Sequence, residues 1–108
     1  MLALEGPIII YAVSDKMVVY DQSTNQQSIF SHHTRDVTCF CIRKEDGLVA
    51  SAEGTKRPHV YIWDYRTMET KEIIRFDHTD KVTHMAFAEQ QPLLAVATQR
   101  HNSPILLF

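Results

Sequence analysis

Residues 60–64, Val-Tyr-Ile-Trp-Asp, decide how this chain of 108 residues folds. They form an apolar run of β-branched and aromatic residues that closes on the pair Trp63-Asp64. Residues 17–21, Met-Val-Val-Tyr-Asp, carry the same pattern 43 positions earlier. A pattern that recurs at such an interval indicates a chain built from repeated structural units.

Two further pairs of segments support an interval of this length. Residues 33–38, His-Thr-Arg-Asp-Val-Thr, return 45 positions later as residues 78–83, His-Thr-Asp-Lys-Val-Thr. Residues 48–52, Leu-Val-Ala-Ser-Ala, return at the same interval as residues 93–97, Leu-Leu-Ala-Val-Ala. Trp63 aligns with Phe108 at this interval as well. Three anchors in one register predict a repeat of about 45 residues.

The secondary structure of each unit follows from its short apolar runs. The predicted strands are residues 7–13, 17–20, 28–31, 37–42, 48–53, 59–64, 71–76, 82–87, 93–98 and 105–108. Polar turns separate these runs, and no segment shows a helical period across three turns. Strands spaced about ten residues apart predict an all-β sandwich, barrel or propeller, and the repeat length assigns four strands to a unit.

Composition excludes several classes of protein. Hydrophobic residues make up 44% of the chain and charged residues 22%, which is typical of a folded globular protein rather than a disordered one. A formal net charge of −2 argues against general nucleic-acid or anionic-membrane binding. The longest apolar run, residues 7–13, is too short for a membrane helix and lacks the preceding basic residues of a secretory signal. Two cysteines one residue apart cannot form a disulfide framework, so an intracellular compartment is expected.

The repeated dipeptides resemble those of the WD-repeat β-propeller family. Trp63-Asp64 matches the pair that names the family, and Tyr20-Asp21 is a conservative variant of it. His33 and His78 stand where the family carries Gly-His, with the glycine replaced. The resemblance covers residues 7–108. It implies about two and a half four-stranded antiparallel blades. Because a closed ring has roughly four to eight blades, we expect a segment of a longer chain that holds the rest of the propeller. Assembly with other copies of the chain to complete a ring is the alternative.

The resemblance also implies a division into repeats and a polar network. With the strands of a repeat lettered a to d, residues 1–31 are a partial first repeat with strands b–d, residues 32–76 a complete repeat, and residues 77–108 a partial third repeat with strands a–c. Members of the family join a histidine, a hydroxyl, an aspartate and the tryptophan by hydrogen bonds. This sequence supplies His33, Ser51 and Trp63. The aspartate is missing, because residues 54–58 form a longer b–c loop.

A narrower resemblance concerns residues 58–64, Pro-His-Val-Tyr-Ile-Trp-Asp, after that longer loop. The stretch is similar to repeats of the echinoderm microtubule-associated protein-like family and of cilia- and flagella-associated WD-repeat proteins. The resemblance implies a scaffold in the cytoplasm at the cytoskeleton or in a cilium, with tubulin or axonemal proteins as partners.

Loops on one rim of such a propeller are candidates for partner binding. The resemblance places five basic side chains from four loops on that rim, namely Arg35, Lys56, Arg57, Lys81 and Arg100. Together they suit an acidic protein partner, although Asp36, Asp77 and Asp80 dilute the positive field.

The cysteines and histidines support a catalytic or metal-binding site less well than a structural role. Cys39 and Cys41 would share one face of a strand near His32 and His33, but structural zinc sites favour a Cys-x-x-Cys turn, so both are interpreted as apolar fillers. No thiol is placed beside a base, and three glycines form no phosphate loop. We therefore expect no enzyme activity, no metal and no cofactor.

The predicted function is a non-catalytic WD-repeat scaffold for protein–protein interaction. An adaptor subunit in a vesicle coat, a ubiquitin ligase or a chromatin complex is the alternative, because propellers share one fold across many functions. A third hypothesis is a hydrolase-like propeller whose active site lies in sequence outside this chain.

Overall fold

The structure is a computed structural model that describes residues 2–54, 57–76, 81–88 and 93–98, and the backbone of residues 102–106. These residues form eleven strands in three antiparallel sheets. The first sheet contains β1 (Leu2–Glu5), β2 (Ile8–Val13), β3 (Lys16–Asp21) and β4 (Gln26–Phe30). The second contains β5 (Val37–Arg43), β6 (Leu48–Glu53), β7 (His59–Asp64) and β8 (Thr70–Arg75). The third contains β9 (Val82–Phe87), β10 (Leu93–Thr98) and β11 (Asn102–Leu106).

The all-β fold expected from the sequence is confirmed, since the described residues form no helix and each sheet is an antiparallel meander. Each sheet corresponds to one blade, so the described residues form two four-stranded blades and three strands of a third. None of the described residues belongs to a helix long and apolar enough to cross a membrane.

Two apolar cores lie between the sheets. The first joins sheets one and two around Ile10, Met17, Phe30 and Trp63. The second joins sheets two and three around Ile62, with smaller residues of the second sheet facing valines and leucine of the third. Alternation along the strands explains this layering, because successive side chains point to opposite faces of a sheet. The second sheet is therefore covered on both faces, and every residue of β6 is buried.

The first sheet has one strand more than the sequence predicts. We expected strands b–d only, yet Leu2–Glu5 pairs antiparallel with Ile8–Tyr11 to add a strand at the edge. The segment Leu-Ala-Leu-Glu lacks β-branched residues and favours a helix by local propensity. Pairing with the strongly apolar β2 overrides that propensity.

The last strand begins earlier than expected. The prediction began at Ile105 and placed Pro104 in a turn, but β11 starts at Asn102 and pairs Pro104 with Ala95. Proline lacks a backbone N–H and is tolerated in a strand that has a hydrogen-bonded neighbour on one side only. Within the described residues, β11 pairs with β10 alone.

Two glycines are required by close turns at opposite ends of the second sheet. Gly47 has a φ of +74° in the β5–β6 turn, a conformation that side chains disfavour. Gly54 follows β6, and a Cβ atom at this position would collide with the side chain of Thr38. The absence of a side chain at Gly54 therefore lets the start of β5 cross close over the beginning of the β6–β7 loop.

Candidate functional site: a buried polar network beneath the rim loops

The structure brings His33, Ser51 and Trp63 together in one hydrogen-bonded chain. The indole Nε1–H of Trp63 donates to Ser51 Oγ at 3.1 Å. Ser51 Oγ lies 2.7 Å from His33 Nε2, so its hydroxyl donates to the neutral imidazole. Each of the three residues is at most 3% exposed. The contacts satisfy an indole N–H and a hydroxyl that would otherwise be costly to bury.

Glu53 is the fourth member of the network, and sequence reasoning missed it. Its Oε2 lies 3.0 Å from His33 Nδ1, which fixes the tautomer with the proton on Nδ1. Glu53 is 1% exposed at the last position of β6, two residues after Ser51 and on the same face of the sheet. We expected the acidic member to be missing, because no aspartate lies in the b–c turn. The longer glutamate side chain reaches the histidine from within the strand. A charged residue closing an otherwise apolar strand was the available signal.

Burial governs the electrostatics of His33. Desolvation lowers the pKa of this imidazole from its ordinary 6.5, and the hydrogen bond and negative charge of Glu53 oppose that shift. The charge of His59 lowers the pKa further, whereas that of Asp15 raises it. The imidazole is therefore held in its neutral form, as its two hydrogen bonds require.

Aromatic rings complete the packing around the network. The Phe30 ring stacks on Trp63 with centroids 4.4 Å apart and planes 7° apart. Tyr61 meets His33 edge-on at 4.5 Å. His32 lies against Phe30 at 4.7 Å on the exposed side. Through Phe30, the end of the first sheet covers the indole of the second, so the network lies inside the interface between blades.

The network lies beneath loops that are tied to one another. The backbone N–H of Val37 donates to Ser14 O at 2.8 Å, and Ser14 Oγ donates to Asp36 at 3.1 Å. The N–H of Gly54 donates to Asp36 O at 3.3 Å. These bonds join the β2–β3 turn, the β4–β5 connection and the β6–β7 loop. We call this set of three loops the rim.

The structure describes three of the five predicted basic residues of the rim. Arg35 is exposed in the β4–β5 connection, and Arg57 is exposed in the β6–β7 loop with a φ of +52°. Lys81 is exposed before β9, at the equivalent end of the third sheet. Lys56 and Arg100 lie outside the described residues, as do Asp77 and Asp80. Arg35 and Arg57 thus belong to loops that contact each other.

The two cysteines face the third sheet. Cys39 is buried in the second core, and Cys41 packs against it. Burial raises the pKa of Cys41 to about 12 and raises that of Cys39 as well. Among the described residues, no three metal-ligating side chains cluster in a geometry for an ion. These surroundings are those of apolar fillers.

The opposite end of the blades carries a separate ion pair. Arg43 binds Asp46 with a shortest N–O distance of 2.6 Å, which lowers the pKa of the carboxyl and raises that of the guanidinium. Arg66 extends across the neighbouring turn and donates to Lys44 O at 2.8 Å. These contacts brace the β5–β6 and β7–β8 turns and lie away from the rim.

Comparison with known proteins agrees with this architecture. The chain is 27% identical over 105 residues to WD repeat-containing protein 90 of Mus musculus, which covers 95% of this chain and 6% of that protein. It is 28% identical over 89 residues to echinoderm microtubule-associated protein-like 1 of Homo sapiens, which covers 74% of this chain and 11% of that protein. The same figures hold for the Mus musculus form of the second protein.

The chain thus spans about a tenth or less of the length of these curated relatives. No protein-family model matches it. The names of both relatives nevertheless agree with what the residues predicted, and the sheets have the form of propeller blades. Sequence similarity and blade architecture together confirm the resemblance of this chain to the WD-repeat family.

Proposed function

We propose that this chain is part of a non-catalytic scaffold that presents the rim to a protein partner. The observation that carries the proposal is the cross-tied rim above the network of His33, Ser51, Glu53 and Trp63. Buried, fully hydrogen-bonded side chains hold the strand ends, and polar loops project from them. Such a rigid base with exposed loops is the arrangement that interaction modules use.

The geometry of Ser51, His33 and Glu53 invites comparison with a catalytic triad, yet it supports the scaffold. The distances of 2.7 Å and 3.0 Å are those of a serine–histidine–carboxylate relay. Ser51, however, is 0% exposed, and its Oγ accepts the indole N–H of Trp63. Among the described residues, this hydroxyl is shielded from solvent and so from a substrate carbonyl. The arrangement therefore favours a structural role over hydrolysis.

An acidic protein segment is the partner class that we propose for the rim. Arg35 and Arg57 are exposed on adjoining loops, and Lys56 adds a third basic residue to the same loop as Arg57. Charge complementarity with an acidic tail would set the rate and specificity of association. One relative is named for microtubule association, which supports tubulin as the partner and the cytoskeleton as the location. Neither relative's name refers to a cilium, so the ciliary or axonemal version rests on the sequence resemblance alone.

The free face of the first sheet supports placing this chain within a larger propeller. This face carries Leu2, Leu4 and Val13 at 61%, 63% and 52% exposure. An apolar sheet face of this kind needs a cover. The equivalent face of the second sheet is covered by a neighbouring blade. We propose that another blade of the same propeller covers the first sheet, and that residues 1–31, 32–76 and 77–108 belong to successive repeats.

Co-sedimentation with polymerised tubulin tests the proposed partner. We expect the chain to pellet with microtubules, and Arg57→Glu to weaken pelleting several-fold and to reduce its salt dependence. Lys44→Glu is the matched control, because Lys44 is an exposed lysine at the opposite end of the second sheet. Absence of wild-type co-sedimentation would remove tubulin as the partner and favour an adaptor in a vesicle coat, ubiquitin ligase or chromatin complex. Equal loss in both variants would remove the rim as the binding surface.

A further inference from the structure

The outer edges of the first and second sheets differ in charge. β4 is the edge strand of the first sheet, and β8 has the same place in the second. Residues 22–31, which include β4 and the turn before it, contain no charged side chain. β8 contains Lys71, Glu72 and Arg75. Charges on an edge strand prevent its unpaired N–H and C=O groups from accepting another strand. β8 is therefore protected in this way, whereas β4 is not.

The difference falls on equivalent positions of the two strands. Ser28 pairs with Val19 in the first sheet, and Glu72 pairs with Ile62 in the second. Val19 and Ile62 occupy the same place in the two recurring apolar segments of the sequence. β4 thus has a small hydroxyl where β8 has a carboxylate. Four of the five residues of β4 are exposed, and within the described part of the chain the strand pairs with β3 alone.

A groove of about 370 Å³ opens beside this edge, between the first sheet and the β7–β8 turn. Gln26 and Ser28 line the groove from β4, and Asp21 lines it from β3. Tyr65 and Arg66 line it from the turn. Paired residues of neighbouring strands have their side chains on the same face of the sheet. A strand added beside Ser28 would therefore direct alternate side chains into this groove.

The guanidinium of Arg66 supplies the positive charge of the groove. It donates to Lys44 O at 2.8 Å and lies over the Tyr65 ring, 5.6 Å from its centroid. Among the described residues, no carboxylate forms an ion pair with it. The carboxylate of Asp21 instead accepts the N–H and the hydroxyl of Ser23 at 2.9 Å and 2.6 Å. The charge of Arg66 therefore suits an acidic side chain that enters from outside.

We propose that the outer edge of β4 accepts an extended segment of a partner protein as a fifth strand of the first sheet. Main-chain hydrogen bonds supply the affinity of such a complex, and alternate side chains of the added strand supply its specificity. On the groove side these side chains meet Arg66, which favours acidic residues. On the other face they meet Ile29, which is 49% exposed and favours apolar, β-branched residues. The partner is thus a segment in which acidic and apolar residues alternate.

A second copy of this chain fits the edge less well. Pairing β4 with itself about a two-fold axis would join five residues a side, against the roughly 20–30 a side of a stable interface. The added β4 would also bring no carboxylate to Arg66, because the strand has none. Charge complementarity therefore favours a different protein.

NMR titration with a defined peptide tests the edge. The probe is an acetylated and amidated heptapeptide, Thr-Val-Glu-Val-Glu-Val-Thr, added to the isotope-labelled chain. We expect saturable shifts of the amide signals of residues 26–30. The same peptide with lysine in place of glutamate should bind about fivefold more weakly, as the loss of a partly exposed ion pair would produce. Absence of saturable shifts, or equal binding of the two peptides, would overturn the proposal.

Two charge variants locate the binding surface. Ser28→Glu gives β4 the residue that β8 has, so the variant should fold and weaken binding by about tenfold. Thr34→Glu adds the same charge at an exposed position of the β4–β5 connection and should leave the affinity unchanged. Arg66→Gln should weaken binding about fivefold, and Arg75→Gln, an exposed arginine at the end of β8, is its matched control. Equal losses in a variant and its control would contradict binding at this edge.

Alternate N-methylation of the peptide separates strand addition from charge attraction alone. Successive residues of a strand direct their N–H groups to opposite edges. Methylating one alternate set should therefore abolish binding, and methylating the other should have a small effect. Equal affinities of the two methylated peptides would rule out strand addition. Concentration-dependent broadening of the β4 amide signals without peptide would show that a second copy occupies the edge and would overturn the partner segment. The assay contains no tubulin, so its result does not depend on the proposed function.

Discussion

The first and second sheets place different residues at equivalent backbone positions. In the second sheet, one register row joins Phe40, Ser51, Tyr61 and Ile73 across its four strands. The equivalent row of the first sheet joins Leu2, Tyr11, Val18 and Ile29. The row in the second sheet includes Ser51, a member of the buried polar network beneath a neighbouring blade. The row in the first sheet is apolar apart from the hydroxyl of Tyr11.

The adjoining register row also differs between the two sheets. Val49 pairs with Trp63 in the second sheet, and Ile9 pairs with Tyr20 in the first. Trp63 is fully buried and its indole N–H donates to Ser51, whereas the Tyr20 hydroxyl donates to Asn25 at an exposed position. The comparison teaches that the four-stranded meander does not depend on the polar network. The network serves the interface between blades and the loops above it.

The largest expected effect comes from deleting the indole. Trp63→Ala should lower the free energy of unfolding by roughly 3–5 kcal/mol, because it leaves a cavity under Phe30 and frees the Ser51 hydroxyl. Tyr20→Ala, at the equivalent position, should cost about 1–2 kcal/mol, since Tyr20 is only half-buried. Urea unfolding followed by circular dichroism measures both. Equal losses would contradict the distinction between the two sheets.

Removing one hydroxyl should have the next largest effect. Ser51→Ala leaves the indole N–H of Trp63 and the Nε2 of His33 without their shared partner, at a cost of about 1–3 kcal/mol. The exposed Ser28→Ala, on β4, is the matched control and should change stability by less than about 0.5 kcal/mol. A loss at Ser51 no larger than at Ser28 would show that the network contributes nothing to stability.

The pH dependence of stability tests the neutral state of His33. Because burial lowers the folded-state pKa below 6.5, the unfolded chain binds the proton more readily. Stability should therefore be complete above about pH 6.5 and decrease as the pH falls through that value toward the lower folded pKa. Urea midpoints at pH 7.5 and 5.5 provide the measurement. His33→Asn should flatten this dependence, and an unchanged slope in that variant would assign the effect to another group.

The smallest effect is expected on the free face of the first sheet. Leu4→Ser should change the free energy of unfolding by less than about 0.5 kcal/mol, because Leu4 is 63% exposed. Leu48 is buried in the second sheet, so the contrasting variant Leu48→Ser should be strongly destabilising. Thermal melts compare the two. A large loss for Leu4→Ser would show that this face is already covered in solution.

The repeat interval and strand alternation predicted most of the fold. Nine of the eleven strands that the described residues form lie where short apolar runs predicted them, because half-buried strands have a two-residue period that is visible locally. The prediction omitted β1 and began β11 too late, because the formation of both depends on a neighbouring strand rather than on their own residues. Pairing partners across a sheet are not visible in a local pattern.

The candidate site was predicted less completely. The network of His33, Ser51 and Trp63 was implied by the resemblance to the WD-repeat family. Glu53 was missed because its role depends on the reach of a side chain, which a motif that specifies aspartate in a turn does not describe. The backbone N–H of His59 also donates to Glu53 Oε1 at 3.3 Å, a contact that depends on the folded path of the longer loop.

The cysteines of the second sheet have a practical consequence. Their sulfur atoms lie where the second sheet meets the third, and the high pKa of Cys41 leaves almost no thiolate at neutral pH. Alkylating reagents should therefore modify the buried Cys39 when the two sheets separate. The rate of alkylation at low reagent concentration would report how often one blade detaches from the next, a motion that global unfolding experiments average away.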